Sequence, residues 1–409
     1  MSVITIFGGS FCKEDLVVSD VLLKTGYTLI TDKEIVAEAS RISGIAESKI
    51  NRTFSAKTSV FNKFTHEKER SIAYLRFAIA QTLSEDNLLI SGFTSQFMPK
   101  DVSHVLRVCL IADMKSRITE GTKEEGMPEK DVIKIIQKHD GDCAVWINTL
   151  FEKNDPWDPE LYDMVIPADK KGVDAIAALI KENADKDVVK RTERSKKVVN
   201  DFLLGARVGV ALAKEGHNVG VKAEDGAITL TMNKHVLMLS RLEEELKAIA
   251  DKVPGVKSVE TKVGADFYQT DVYRKHDFEL PSKVLLVDDE REFVQTLSER
   301  LLMRDMGSAV AYDGESALSL VEEDEPEVMI LDLKMPGIDG IEVLRRVKET
   351  NPEIEVIILT GHGSEADKKV CMELGAFAYL HKPVNIDILS ETLKKANEKV
   401  QRKKNQMKH

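Results

Sequence analysis

KVLLVDDE, residues 283–290, is a continuous apolar run that ends in three acidic side chains. Working outward from it, three further runs have the same texture. VMIL (328–331) ends in Asp332, EVIIL (355–359) delivers Thr360, and FAYL (377–380) leads to Lys382-Pro383. Short Val/Ile/Leu runs without alternation read as strands buried on both faces, the signature of a parallel sheet covered by helices. Side chains at the carboxyl ends of such strands share one crevice, so Asp288, Asp289, Asp332, Thr360 and Lys382 are expected to converge. Clustered carboxylates raise one another's pKa unless a cation lies among them, which makes Mg²⁺ the natural occupant. Such a site suits phosphoryl transfer, which needs a nucleophile in line with the phosphorus and positive charge on the transferring oxygens.

The set Asp288-Asp289, Asp332 within LDLKMPGIDG (331–340), Thr360-Gly361 and Lys382-Pro383 resembles the receiver domain of two-component response regulators. The resemblance covers roughly 282–404 and implies a flavodoxin-like (βα)5 fold. It also implies that Asp332 takes a phosphoryl group from a sensor histidine kinase or phosphotransfer protein. Asp289, Asp332 and the backbone carbonyl of Lys334 would hold Mg²⁺, with Asp288 acting through water. Lys382 would neutralise the acyl phosphate, Thr360 would hydrogen-bond it, Tyr379 would be the aromatic switch, and Lys382-Pro383 would be cis. Met335-Pro336 to Gly340 would shape the neighbouring loop. Lys334 and His362 stand where such domains tune the dephosphorylating water, and surface filler is an equal reading. Singly, an Asp-Asp pair is usually a helix cap, and Thr-Gly or Lys-Pro a turn; the specificity lies in their joint order on successive strand ends.

A chain of 409 residues exceeds one comfortable core, so several domains are expected. An apolar fraction of 43% with 31% charged residues is that of a globular protein, not a disordered one. A net charge of −11 and a pI near 5.5 repel a nucleic-acid backbone, so a DNA-reading output and nucleic-acid partners are not expected. MSVITIFGG at the start lacks the pattern of a signal peptide, and no apolar run is long enough for a membrane span. Cys12, Cys109, Cys143 and Cys371 show no metal or disulfide spacing. The expectation is a cytoplasmic protein.

The first 185 residues open with a strand at 3–7, a Gly8-Gly9 turn and a helical pattern, then alternate strands (87–91, 106–112) with amphipathic stretches. That alternation predicts a doubly wound α/β domain. GGSFCKED (8–15) lies where a phosphate-binding loop belongs, with glycines to turn backbone NH groups toward phosphate and Lys13 for its charge. HVLRVCLIA (104–112) with Arg117, and DPWDPELYDMVI (155–166), resemble the cytidylate-kinase-like family, a P-loop nucleoside monophosphate kinase fold. The resemblance implies ATP or another nucleotide near Gly8, Gly9, Lys13 and Arg117, with Arg107 a further candidate or merely a charge flanking a strand. Departures are conspicuous. Cys12 stands where the loop wants glycine, Glu14 where it wants a hydroxyl, and Phe93 and Cys143 where phosphate-clamping basic groups are usual. Loss of those charges removes transition-state stabilisation, so turnover is expected to be negligible.

A charged connector, helical or flexible, spans 186–199. It is followed by a unit at 200–272 reading αββαβ: helix 201–214, strand 218–223, an Asp225-Gly226 hairpin turn, strand 227–232, helix 239–252 and strand 257–263. With KAIADKVPGV (247–256) it resembles a BON domain, here an interaction or spacer module; lipid binding would need a surface this stretch lacks. Residues 273–281 read as a linker into the receiver. The leading function is a signalling protein in which phosphorylation changes how the receiver meets the upstream domains. The alternative is a nucleotide kinase gated by its own receiver. A homodimer through a second receiver stays open among the partners.

Overall fold

The computed structural model describes residues 2–234, 239–264 and 283–406. The linker read at 273–281 and the last residues of the polar tail lie outside them. Two compact units form, Met1–Thr58 with Lys68–Tyr273, and Ser59–Glu67 with Arg274–His409.

The first unit contains a five-stranded parallel sheet of β1 (Val3–Gly8), β2 (Thr28–Thr31), β3 (Leu88–Ser91), β4 (Val105–Ile111) and β5 (Met164–Pro167), in the order β2-β3-β1-β4-β5. β1 is the central strand, paired with β3 and β4 and buried at every position. Its carboxyl end therefore delivers Gly8 and Gly9 to the middle of the sheet edge, where the reversal of strand order opens a crevice. β2 had no clear signature in the sequence, because as an edge strand it is half exposed and carries two threonines among its four residues.

The same unit carries a second, three-stranded sheet: β6 (Gly220–Glu224) antiparallel to β7 (Ala227–Met232), and β7 parallel to β8 (Ser258–Val263). Ile228, Leu230 and Met232 alternate into a core with Leu242, Leu246 and Ala250 of the helix Leu239–Ala250, while the other face is polar. The expected αββαβ order is present. The charged stretch read as a helical or flexible connector holds a short turn at Asp187–Val189 and then the first part of one continuous helix, Glu193–Lys214, with no break near 200. Thr192 caps it with a reciprocal Thr192–Ser195 box. Along its length Val199 and Val210 join the core of the first sheet, and Val208 and Leu212 join that of the second.

The second unit is built on β9 (Val284–Val287), β10 (Ser308–Ala311), β11 (Val328–Leu331), β12 (Glu355–Thr360) and β13 (Ala378–His381), all parallel in the order β10-β9-β11-β12-β13. This is the doubly wound order of the flavodoxin-like fold. Ser59–Glu67, which the sequence reading placed in the N-terminal domain, belongs to this unit. Phe61 is 1% exposed and lies in one core cluster with Leu285, Met329 and Val347. Ser59 Oγ donates to Asp324, 2.5 Å away, and Lys283 Nζ stands 2.6 Å from a Glu67 carboxylate oxygen. No local pattern could have revealed this, since the segment's partners lie more than 200 residues further along the chain.

Candidate functional site

β9 and β11 are neighbours, and each ends in its acidic residue: Asp288 follows Val287, and Asp332 follows Leu331. The backbone fixes both positions. The Asp332 amide donates to Val287 O at 2.9 Å and the Asp288 amide to Ala311 O at 3.2 Å. The carboxylates of Asp288, Asp289 and Asp332 offer oxygens that all lie within 4.8 Å of one another. Lys382, at the end of β13, lays its ammonium 2.7 Å from Asp288, 3.1 Å from Glu290 and 3.9 Å from Asp332. The Lys382-Pro383 peptide is cis, as expected.

Electrostatics at this crevice are those of a partly dry carboxylate nest. Burial holds the Asp288 carboxyl above its usual range, although hydrogen bonds from Lys382 and from the Glu290 amide pull the other way. Burial would lower the Lys382 ammonium, but its hydrogen bonds to Asp288 and Glu290, with Asp332 behind them, hold it above its usual value. Asp332 Oδ1 is buried with no hydrogen-bond partner among the described residues, and Asp332 Oδ2 accepts from the Lys334 amide at 3.2 Å. Orphaned buried acceptors are rare in folded proteins. A carboxylate oxygen left bare beside two other carboxylates fits a hard divalent cation.

Thr360 is fully buried at the end of β12; its hydroxyl accepts from the His362 amide, 3.3 Å away, and its carbonyl accepts from the Lys382 amide. Tyr379 extends its ring toward Gly363, and its buried hydroxyl has no hydrogen-bond partner among the described residues. A Cβ on residue 363 would fall 1.7 Å from that hydroxyl, so only glycine leaves room for it. All the carboxylates expected at the crevice are brought together with Lys382, whose amide ties Thr360 to them. Glu290 was missed as a partner of Lys382; its signal was the third acidic residue of the 288–290 run.

The N-terminal loop is arranged differently. Phe11 and Lys13 adopt left-handed backbone conformations before the helix Glu14–Thr25. Arg117 is buried, donating from Nε to Ser10 O at 2.9 Å and from both terminal nitrogens to Asp140 at 2.7 and 2.9 Å. Lys13 Nζ lies 4.0 Å from Glu120. Gly8, Gly9, Lys13 and Arg117 thus do share one neighbourhood. Arg107 does not serve it, because its guanidinium is held by Asp163 and the Pro99 carbonyl. Phe93 packs among Phe7, Phe54, Trp146 and His139, and Cys143 is fully buried beside Phe7 and Ile147. Those two positions have been absorbed into the core.

Residues 284–394 match the family model of the response regulator receiver domain, and residues 3–170 match that of the cytidylate kinase-like family. The chain is 44% identical over 104 residues to the transcriptional regulatory protein CpxR of Klebsiella pneumoniae subsp. pneumoniae (strain HS11286), and equally to that of Escherichia coli (strain K12). The match takes in 25% of this chain and 44% of each relative, so the chain spans under half the length of these proteins. Among solved structures, a response regulator receiver domain protein from Clostridium thermocellum is 35% identical with a TM-score of 0.28, covering 30% of this chain and 96% of that one. A CheY-like receiver domain protein from Methanospirillum hungatei JF-1 is 25% identical with a TM-score of 0.29, covering 29% of this chain and 96% of that one. None of the described helices is long and apolar enough to cross a membrane. The chain therefore carries a receiver-domain segment in its C-terminal part, preceded by a segment that matches the cytidylate kinase-like family model.

Proposed function

We propose that the chain is a two-component response regulator phosphorylated on Asp332 by a sensor histidine kinase or phosphotransfer protein. The observation that carries this reading is the bare, buried Asp332 oxygen set beside Asp288, Asp289 and the Lys382 ammonium. An Asp332 oxygen attacks the phosphorus of a phosphohistidine; the N–P bond breaks, the imidazole keeps the electron pair, and an acyl phosphate remains on the aspartate. Mg²⁺ held by Asp288, Asp289, Asp332 and the Lys334 carbonyl would supply charge neutralisation when bound. Lys382 is positioned to exchange its contacts with Asp288 and Glu290 for the new phosphoryl oxygens, and Thr360 to hydrogen-bond one of them. Tyr379 reports the change to the neighbouring surface. The output is an altered contact with the kinase-like domain, with the BON-like unit at 200–272, or with a second receiver.

The test is labelling by a small phosphodonor with Mg²⁺. One phosphate per chain is expected, and none in Asp332→Asn. Equal labelling of that variant would remove Asp332 from the role. Lys382→Ala should still accept some phosphate but fail to change the protease sensitivity of the chain, because the lysine couples the new charge to its surroundings.

A further inference from the structure

We infer that the N-terminal loop 8–14 is closed to nucleotide from within, Asp140 serving Arg117 as the permanent anion that a phosphate would otherwise be. This goes beyond the receiver reading and does not depend on it. A loop of this kind holds phosphate through free backbone NH groups and unpaired cations. Here the Gly9 amide already donates to Leu110 O and the Cys12 amide to Gly9 O. The guanidinium of Arg117 makes three hydrogen bonds, a planar fork on Asp140 and one bond to Ser10 O, which is the bidentate geometry an Arg offers to phosphate. It lies against Gly9, where a Cβ would come to 3.0 Å from it.

The rest of the loop lacks a metal-binding hydroxyl, and its remaining cation is also paired. The Glu14 carboxylate takes the place of a metal-binding hydroxyl, with one oxygen 3.1 Å from where a Gly8 Cβ would lie and the other accepting from Ser91 at 2.5 Å. Glu120 faces Lys13. A triphosphate would have to break the Arg117–Asp140 pair, leave Asp140 partly buried without a partner, and sit beside the Glu120 carboxylate. Losing one partner of a buried charge pair is strongly unfavourable.

The experiment is a titration of the full chain with inorganic pyrophosphate and with ATP, metal chelated so that the receiver carboxylates repel both probes. The wild-type chain is expected to show no saturable binding up to roughly millimolar ligand. Asp140→Asn, which frees the guanidinium, should gain at least about tenfold in pyrophosphate affinity, a gain abolished by adding Arg117→Ala. Saturable ATP binding by the wild type that Arg117→Ala removes would overturn the inference, as would a folded Asp140→Asn chain with no gain. Should that variant lose its fold by circular dichroism, the wild-type titration decides alone. Because no step involves Asp332, failure here leaves the phosphoacceptor reading untouched, and the reverse also holds.

Discussion

At the ends of β9 and β11, one lysine faces the carboxylates of Asp288, Glu290 and Asp332, and among the described residues one Asp332 oxygen has no hydrogen-bond partner. At the end of β1, an arginine is held by a single carboxylate and the Ser10 carbonyl, and the Gly9 and Cys12 amides turn inward. Both loops belong to parallel sheets with the same mixture of glycine, acid and base. Their difference lies in the count. A surplus of buried negative charge leaves a site that can gain a cation and a phosphoryl group, whereas a matched pair leaves no unmet demand for a ligand. The fold supplies the crevice in each case, and the residual charge decides whether the crevice can bind.

The largest effect expected from this contrast is catalytic. The full chain, given ATP with CMP, UMP or AMP, should form ADP at background rate, at least about a thousandfold below a competent kinase of this fold, because even one lost phosphate-stabilising donor costs on the order of a hundred- to a thousandfold. Robust ADP production with any of the three acceptors would break the contrast at its root.

The next concerns how the receiver unit is closed. Phe61 reaches its core from a part of the chain far from β9, so Phe61→Ala should destabilise the receiver unit by about 3 kcal/mol, the usual cost of emptying a buried phenylalanine site. Denaturant unfolding followed by a receiver-specific probe checks this. An unchanged midpoint would mean that Ser59–Glu67 contributes nothing to that core.

Glu14 provides a pH test. Burial pushes its carboxyl up to about 7 from an ordinary 4.5, against the pull of the Ser91 hydrogen bond, with Asp15 and Asp32 adding to the rise. An acid whose folded pKa is raised stabilises the fold while protonated. That contribution is complete below the unfolded value and is lost as the pH climbs through the folded one. Glu14→Gln keeps the neutral form at every pH, so it should be more stable than wild type at about pH 8, by about 2 kcal/mol once partial exposure is discounted, and indistinguishable near pH 4. A pH-independent difference would show that folding leaves the Glu14 pKa unchanged.

The smallest effect sharpens the receiver side. Gly363→Ala should leave phosphodonor labelling of Asp332 intact while displacing Tyr379, at a cost of roughly 1–3 kcal/mol for overpacking. Adding Tyr379→Phe should recover part of that loss, since it removes the hydroxyl 1.7 Å from the added carbon and leaves Thr360 Cγ2 at 2.8 Å and the ring at 3.0 Å. Hydrogen exchange across β13 reads both changes. No recovery in the double variant would show that something other than the hydroxyl sets the limit.

What the sequence determined by itself is local and periodic. The apolar runs at 284–287, 328–331 and 355–360 are strands because uninterrupted Val, Ile and Leu can be buried only on both faces of a covered sheet, and the acids and the threonine that end them mark the crevice. The αββαβ order of the second sheet was equally legible from its alternation and its Asp225-Gly226 turn. Short strands with weak patterns were not. SAVA at 308–311 forms β10 because an edge position beside β9 was free for it, not because its own residues demand a strand. Tertiary structure alone decided three things: that Ser59–Glu67 completes the receiver core, that 193–214 is one helix serving two cores, and that Arg117 is paired with Asp140. Each depends on contacts between residues far apart in sequence, and the free energy of burying a phenylalanine or pairing an arginine is set by what arrives opposite it, which no local pattern of residues encodes.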